Sequence, residues 1–283
     1  MLLWEGTPPG YSHLDSSVFL KVKALFFKRS IKELPKINLF LVNRHKEAEA
    51  EKRPLMIICP GGGYSHRASH EGAPIAAWIN SLGYHAVVLS YRVAPYKHPL
   101  PLLDLLQTIR FVREHADEWC VDSSRIGVLG FSAGGHLAAT LGTFATNSED
   151  LDPWQDLFQQ FTGCKPSLLV LCYPVISYVQ HIHKGSMRHL LGKHPPLPLR
   201  KHLSAELRVT ETTPPTFLWH TREDSVVPCQ HSQLFADALK TCGVSHEFHL
   251  YPTGRHGLGL KHQSSGEDHW TRSCARWLKS QGW

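Results

Sequence analysis

A serine between small residues is the strongest candidate for chemistry in this chain. Residues 130–135 read Gly-Phe-Ser-Ala-Gly-Gly, with an apolar run before them and helix formers after them. This order predicts a strand, a tight turn with Ser132 at its tip, and a helix. Such a serine could attack a carbonyl carbon, and its close neighbours Gly130 and Gly134 would have to be small. A glycine-rich helix entry or a phosphate loop would also fit this motif alone.

A glycine triplet upstream could stabilise the charge that such an attack creates. Gly61, Gly62 and Gly63 follow another apolar run. The attacked oxygen becomes negative, and backbone N–H groups already aimed at it stabilise that charge. We expect one N–H donor from Ala133 and the other from Gly62 or Gly63. A flexible turn is the alternative. A dinucleotide loop is disfavoured because no G-x-G-x-x-G spacing follows and no acidic residue ends the strand 84–90.

An acid and a base with the required order lie downstream. Asp224 comes shortly after an apolar run and precedes Val-Val-Pro, so we favour it over Glu223 as the acid. The chain has 20 histidines, and position rather than residue type singles out the glycine-flanked His256 as the base. The order serine, acid, histidine is that of α/β-hydrolases, and it differs from the orders in chymotrypsin and subtilisin.

Together, these motifs resemble an α/β-hydrolase serine esterase of the acetylxylan-esterase and feruloyl-esterase-like (BD-FAE-like) branch, which is related to hormone-sensitive-lipase-like esterases. The resemblance covers nearly the whole chain and is carried by residues 60–64, 90–95, 130–136, 220–228 and 254–257. It implies removal of short acyl groups, acetyl above all, from acetylated carbohydrates such as xylo-oligosaccharides, through an acyl-enzyme. The alternatives are a general short-chain carboxylesterase and an amidase, formamidase or peptidase on the same triad. A non-catalytic binding module is disfavoured because all three triad members are present.

Two features concern the branch of esterases that this chain resembles. Hormone-sensitive-lipase-like esterases carry a histidine before the glycine triplet, whereas this chain has Cys59 and Pro60 there. This departure favours the acetylxylan-esterase-like branch. Residues 90–95, Ser-Tyr-Arg-Val-Ala-Pro, resemble the Tyr-Arg-x-Ala-Pro element of the lipase-like enzymes, which implies a structural role for them and not a catalytic one.

The elements that must position these residues alternate along the chain. Strands are predicted at 37–42, 55–59, 84–90, 126–130, 168–172, 216–220 and 247–251, with helices near 71–82, 102–117, 133–144, 230–241 and 267–279. The alternation predicts parallel βαβ units and an α/β-hydrolase fold, with a mostly parallel central sheet between helices on both faces. The loops that bear Ser132, Asp224 and His256 should converge at its carboxyl edge. We expect residues 1–283 to form one domain, with 178–215 as a small lid or pocket wall.

Composition and charge indicate which kinds of partner and which cellular location to expect. Hydrophobic residues make up 42% of the chain and charged residues 19%, which excludes a disordered protein, and no apolar run is long enough to span a bilayer. The start of the chain lacks the pattern of a secretory signal, so we expect a cytoplasmic protein. The net charge is +6, and the basic cluster Lys21–Lys36 is short. We expect it to be a solvated face, and we expect a small-molecule ester partner without nucleic acid or membrane. A homo-oligomer stays open.

No cofactor or metal is expected. The seven cysteines are scattered without a C-x-x-C pair, and they are expected to be reduced and packed as small hydrophobic residues. Three histidine pairs could suggest a metal site: 66/70, 181/183 and 246/249. The last pair would point to opposite faces of a strand, and no H-E-x-x-H or cysteine partner completes a zinc set.

Overall fold

The structure, a computed structural model, describes residues 1–10, 34–42, 51–144, 158–261 and 269–283. Its strands are β1 (Lys36–Phe40), β2 (Arg53–Cys59), β3 (His85–Ser90), β4 (Val121–Phe131), β5 (Leu169–Cys172), β6 (Thr216–Thr221) and β7 (His246–Tyr251). They form one sheet in the order β1-β3-β2-β4-β5-β6-β7. β1 pairs antiparallel with β3, and the other neighbouring pairs are parallel.

Helices connect the strands. They are α1 (Ala73–Ser81), α2 (Leu100–Glu114), α3 (Ala116–Trp119), α4 (Ser132–Gly142), α5 (Lys184–Leu191), α6 (Leu197–His202), α7 (Gln230–Thr241) and α8 (Trp270–Ser280). Two short 3₁₀ helices, Ser69–Glu71 and Ala205–Leu207, complete the set within the described ranges. Strand β4 runs directly into α4, and this junction carries the candidate nucleophile.

The core lies on both faces of the sheet. Side chains of a strand point alternately to opposite faces, so Leu55 and Ile57 of β2 join the hydrophobic cluster that includes α2 and α4. Met56 and Ile58 join the cluster on the other face, which includes α1 and α8. Both faces are covered, which explains why β2 is an uninterrupted apolar run instead of an alternating one.

All seven strands occur at the predicted places, and the main differences are local. β4 begins at Val121 and not at 126, because Val121 pairs with Arg53. The strand therefore includes the polar residues between Val121 and 126. The helix predicted at 102–117 is two helices, α2 and α3, separated at His115. Cys120 ends α3 in the left-handed region, with φ +53°.

Strand β1 is the antiparallel member of the sheet. The sheet is mostly parallel, as predicted, and β1 pairs antiparallel with β3. β1 is the edge strand of the sheet, next to β3, and it also bonds the N-terminal residues 1–3. An antiparallel edge strand needs no helical crossover to reach its place, so its hydrophobic pattern carries no signal of its direction.

Some predictions fall outside the described ranges. Of the basic cluster Lys21–Lys36, only residues 34–36 are described, and Lys36 begins β1. Residues 267 and 268, at the start of the last predicted helix, are likewise outside, and α8 begins at Trp270. Among the described residues, no helix combines the length and the apolar character needed to cross a membrane.

Candidate active site

Ser132 stands at a sharp turn between β4 and α4. Its φ is +51°, in the left-handed region that a serine rarely occupies, and its side chain is buried. Glycine is required on both sides of the turn: a Cβ at Gly130 would lie 2.3 Å from the carbonyl oxygen of Gly134. A Cβ at Gly134 would lie 2.1 Å from the carbonyl oxygen of Cys59. Close packing of the turn against the end of β2 thus fixes the serine in its strained conformation.

His256 joins Ser132 to Asp224. The Nε2 atom of His256 lies 2.8 Å from Ser132 Oγ, and its Nδ1 atom lies 2.6 Å from Asp224 Oδ2. An ionised carboxylate can only accept, so Nδ1 carries the proton and donates it to Asp224. The Nε2 atom of the neutral ring is then the acceptor for the serine hydroxyl. This arrangement can withdraw a proton from Ser132.

Asp224 is held as an anion. Burial on its own raises the pKa of a carboxyl group, but hydrogen bonds from His220 and His256 outweigh burial and hold the pKa of Asp224 well below its usual range. The backbone N–H groups of Val226 and Val227 each donate to Oδ1 at 2.9 Å. The acid therefore keeps its charge and its orientation toward His256.

His220 is a functional contact that the sequence analysis did not single out. Its Nε2 atom lies 2.8 Å from the carbonyl oxygen of Val227 and 3.2 Å from Asp224 Oδ2. Both oxygens accept, so Nε2 carries the proton and Nδ1 accepts from the Ser232 hydroxyl at 2.8 Å. His220 therefore belongs to the same hydrogen-bond network as the acid. Its position at the end of a strand is the sequence feature that could have identified it.

Glu223, the other acid candidate, has a different position. Its Oε2 atom accepts from the backbone N–H of Gly254 at 3.1 Å. It therefore braces the loop that carries His256, while Asp224 makes the contact with the imidazole itself.

The glycine triplet lies directly over the serine. A Cβ built on Gly61 would lie 3.0 Å from Ser132 Cβ. Gly62 and Gly63 have φ +122° and +61°, conformations that favour glycine. Ala133 is in the first turn of α4, where backbone N–H groups have no partner within the helix. The structure thus brings Gly61, the first residue of the triplet, against Ser132, and the N–H donors Gly62, Gly63 and Ala133 stay a prediction.

Several side chains hold residues 60–64, which we call the oxyanion loop after its predicted role. The Tyr91 hydroxyl donates to the carbonyl oxygen of Pro60 at 2.6 Å, and His189 Nδ1 donates to that of Gly63 at 2.9 Å. His189 belongs to α5, so the segment 178–215 contacts the loop directly. These contacts restrict the rotation of the peptide groups that would face a substrate.

A histidine holds the end of the oxyanion loop. His136 Nε2 donates to the carbonyl oxygen of Leu203 at 2.8 Å. His136 Nδ1 accepts from the Tyr64 hydroxyl, also at 2.8 Å. Burial lowers the pKa of His136 to about 4, against a raising contribution from the bond to Leu203. The neutral ring therefore links α4 to Tyr64.

Two further residues beside the site were missed. Glu71 Oε2 accepts from the backbone N–H of Gly61 at 2.7 Å, and Glu71 Oε1 accepts from the Tyr173 hydroxyl at 2.6 Å. Tyr173 immediately follows β5, so the rule that places functional residues after strands could have found it. Glu71 has no such signal, because it lies ten positions after Gly61 in a stretch without a motif.

The described residues of the site form no metal-binding cluster. Within the part of the chain that the structure describes, no three side chains of His, Cys, Asp or Glu come together in a way that could hold one. His246 and His249 lie on β7, and His249 Nε2 bonds the carboxylate of Glu247 at 2.5 Å.

The sequence matches a known family and several known enzymes. The BD-FAE family model matches residues 42–239, a range that includes Ser132 and Asp224. The chain is 36% identical over 211 residues to endo-1,4-beta-xylanase B of Butyrivibrio fibrisolvens and 30% identical over 227 residues to an acetylxylan esterase of Xylanibacter ruminicola. These alignments cover 73% and 78% of this chain but 33% and 44% of the relatives. The chain thus spans less than half the length of these curated relatives.

A solved structure matches over nearly its whole length. The acetyl ester-xyloside bifunctional hydrolase from Caldicellulosiruptor lactoaceticus has 42% sequence identity and a TM-score of 0.82. The match covers 100% of this chain and 96% of that protein. The predicted α/β-hydrolase fold is confirmed.

Proposed function

The chain belongs to the BD-FAE family of α/β-hydrolases, and we propose that it is a serine esterase that removes acetyl groups from acetylated carbohydrates such as xylo-oligosaccharides. The observation that carries the chemistry is the hydrogen-bonded chain from Asp224 through His256 to Ser132, with distances of 2.6 and 2.8 Å. The substrate class is supported by the relatives whose names state acetylxylan esterase and acetyl ester-xyloside hydrolase.

In the proposed reaction, Ser132 Oγ attacks the ester carbonyl carbon while His256 Nε2 takes the hydroxyl proton. Asp224 accepts the Nδ1 proton of His256 in a hydrogen bond, so its charge stabilises the imidazolium that forms. The carbonyl oxygen becomes an oxyanion. When the carbon–oxygen bond to the sugar breaks, His256 gives its proton to the leaving sugar oxygen and acetyl-Ser132 remains.

The oxyanion would be stabilised by backbone N–H groups. Ala133 would supply one donor, and Gly62 or Gly63 the second. The N–H of Gly61 is already bonded to Glu71, so it is not counted among them. Preorganised donors of this kind act only on the charge of the transition state, which is where they accelerate the reaction.

Water completes the cycle. His256 takes a proton from water, the resulting hydroxide attacks acetyl-Ser132, and the second tetrahedral intermediate expels Ser132 Oγ with the returned proton. The sum is one ester and one water converted to one alcohol and acetic acid. His256 therefore acts as base and then as acid in both halves of the cycle.

We also propose that residues 1–283 form one hydrolase domain in which 178–215 is a wall of the pocket. The contact of His189 with the oxyanion loop supports this role. The cytoplasm is the proposed location. Three cysteines, Cys59, Cys172 and Cys274, are buried and free, as suits a reducing compartment.

The function is tested by acetate release from acetylated xylo-oligosaccharides, together with a p-nitrophenyl ester series from acetate to octanoate. Wild type should release acetate from the oligosaccharides and prefer the shortest aryl ester. Ser132→Ala should lose about a million-fold in turnover, since it removes the nucleophile. Ser273→Ala is the matched control, because Ser273 is a buried serine on α8.

Each failure points to a different correction. Serine-dependent activity on aryl esters alone would contradict the carbohydrate substrate and leave a general carboxylesterase. Activity confined to p-nitroanilides of the same acyl groups, assayed alongside the esters, would replace the esterase with an amidase. Absence of Ser132-dependent turnover on all of them would contradict the enzyme itself.

A further inference from the structure

Glu71 is a buried carboxylate beneath the oxyanion loop. It ends the 3₁₀ helix Ser69–Glu71 and has 2% of its surface exposed. A carboxylate is costly to bury unless it is hydrogen-bonded. Glu71 accepts one hydrogen bond at each oxygen, from the Gly61 N–H at 2.7 Å and from the Tyr173 hydroxyl at 2.6 Å. The proposed reaction gives this residue no chemical task.

Tyr173 extends the contact to the loop that carries His256. The backbone N–H of Gly259 donates to the Tyr173 hydroxyl oxygen at 2.9 Å. Since a backbone N–H only donates, the hydroxyl proton points to Glu71. Burial, followed by the charge of Glu71, raises the pKa of Tyr173 well above its usual value, so the hydroxyl keeps that proton. The Tyr173 ring also packs edge-on against His256, with centroids 5.0 Å apart.

The peptide group between Pro60 and Gly61 is held at both ends. Its N–H donates to Glu71, and its carbonyl oxygen accepts from Tyr91 at 2.6 Å. The fit is close, since a Cβ on Gly61 would lie 2.7 Å from Glu71 Oε2. The next two peptide groups carry the N–H groups of Gly62 and Gly63, so the direction of these donors depends on the fixed one.

A second contact joins the 3₁₀ helix to the loop that carries His256. His70 precedes Glu71 in the 3₁₀ helix, and its Nε2 atom donates to the carbonyl oxygen of Gly257 at 3.0 Å. The 3₁₀ helix therefore bonds the oxyanion loop through Glu71 and the His256 loop, at Gly257, through His70. Movement of either loop would break at least one of these bonds.

We propose that Glu71, acting through Gly61 and Tyr173, is a positioning residue that keeps the oxyanion donors and His256 in register over Ser132. This inference rests on the proposed function. Glu71 does not touch the reacting atoms. Its effect should therefore be on the binding of the transition state, through alignment, and not on the binding of the ground-state ester.

Glu71→Gln and Tyr173→Phe test this role. Glutamine has the shape of glutamate but only one acceptor oxygen, so it cannot accept from both Gly61 and Tyr173. Tyr173→Phe removes the hydroxyl and keeps the ring beside His256. Glu206→Gln is the matched control, because Glu206 is a buried glutamate in the other 3₁₀ helix. Each protein is assayed for kcat and KM on p-nitrophenyl acetate, for the inhibition constant of a trifluoromethyl ketone, and for Tm.

A trifluoromethyl ketone distinguishes positioning from general damage to the fold. It adds to the serine as a tetrahedral oxyanion and so reports on the same donors as the transition state. We expect Glu71→Gln to lower kcat by about 100-fold, the size associated with small misplacements at a reacting centre. The inhibition constant should rise in parallel while KM stays within a few-fold. Tyr173→Phe should show a smaller change of the same kind, and Glu206→Gln should match wild type.

The inference is overturned if wild type is active and both Glu71→Gln and Tyr173→Phe have its kcat. It is also overturned if these variants change only KM and leave the inhibition constant of the ketone unchanged. If Glu71→Gln does not fold, Tyr173→Phe decides in the same way. Wild type without any esterase activity would instead contradict the proposed function, and with it the inference. An active wild type with unaffected variants would contradict the inference alone.

Discussion

Two buried aspartates, Asp224 and Asp104, show how differently this fold uses the same side chain. Their exposed fractions are 5% and 0%. Asp104 lies in α2 and accepts from the Arg92 guanidinium at 2.7 Å, with a further bond from the Trp4 indole at 3.0 Å. Asp224 lies in the loop after β6 and accepts from His256. Both carboxylates are hydrogen-bonded, so hydrogen bonding alone does not distinguish a structural acid from a functional one.

Their pKa values shift in opposite directions. Burial raises the pKa of Asp104 despite the opposing charge of Arg92. Burial acts the same way on Asp224, but the hydrogen bonds from His220 and His256 are stronger in sum, and the pKa of Asp224 falls well below its usual range.

The partner decides the role of each acid. A guanidinium does not give up its proton in a protein, whereas an imidazole exchanges protons near neutral pH. The side chain of His256 also keeps 16% of its surface exposed, while that of Arg92 is 0% exposed. Asp224 should therefore affect mainly the reaction rate and Asp104 mainly the stability.

The largest expected effect is on the rate. Asp224→Asn should lower kcat on p-nitrophenyl acetate by about 10⁴-fold, because an amide no longer fixes the imidazole tautomer that accepts the serine proton. The melting temperature should change little. Glu223→Gln is the neighbouring control and should cost less than tenfold, since Glu223 contacts the Gly254 backbone and not His256. Equal losses in the two variants would remove the distinction between these acids.

The next effect is on stability. Asp104→Leu leaves the Arg92 charge buried without a partner and should lower the free energy of unfolding by about 3–5 kcal/mol in urea titrations. Its kcat per folded molecule should stay within tenfold of wild type. Replacing both partners, with Arg92→Met added, should recover most of the lost stability. A double variant no more stable than Asp104→Leu would show that the ion pair is not the cause.

His136 is a third buried group, and it lies beside the oxyanion loop. It should make the stability of the fold depend on pH. Its pKa is lowered to about 4 by burial. The unfolded chain binds a proton below about pH 6.5 and the folded chain does not, so this stability is complete above pH 6.5 and declines toward pH 4. The decline should reach roughly 3 kcal/mol at about 1.4 kcal/mol per pH unit.

Urea titrations of wild type and His136→Gln at pH 7, 5.5 and 4.5 check this expectation. The variant should lose less stability than wild type over that range, because the titrating group is gone. His231, whose pKa burial also lowers to about 4, should leave part of the slope in place. Identical slopes for the two proteins would contradict the assignment of this pH dependence to His136.

The sequence predicted the parts of the site that depend on local rules. Turn geometry requires glycine around Ser132, and the end of a parallel strand places Asp224 at the common edge, so both could be located without coordinates. Glu71 and Tyr173 could not be paired in advance, because their contact spans 102 positions and depends on how two loops pack. The direction of β1 could not be predicted for a similar reason, since its pairing with β3 leaves no trace in its own pattern.

The most direct test of the account is covalent labelling with a fluorophosphonate, followed by mass spectrometry of wild type, Asp224→Asn and Asp104→Leu. Labelling requires a serine activated by its histidine. We expect one adduct per chain, on Ser132, formed at the same rate in wild type and folded Asp104→Leu and far more slowly in Asp224→Asn. An adduct on another residue, or Asp224→Asn labelled as fast as wild type, would contradict the assignment of Ser132, His256 and Asp224 to one catalytic unit.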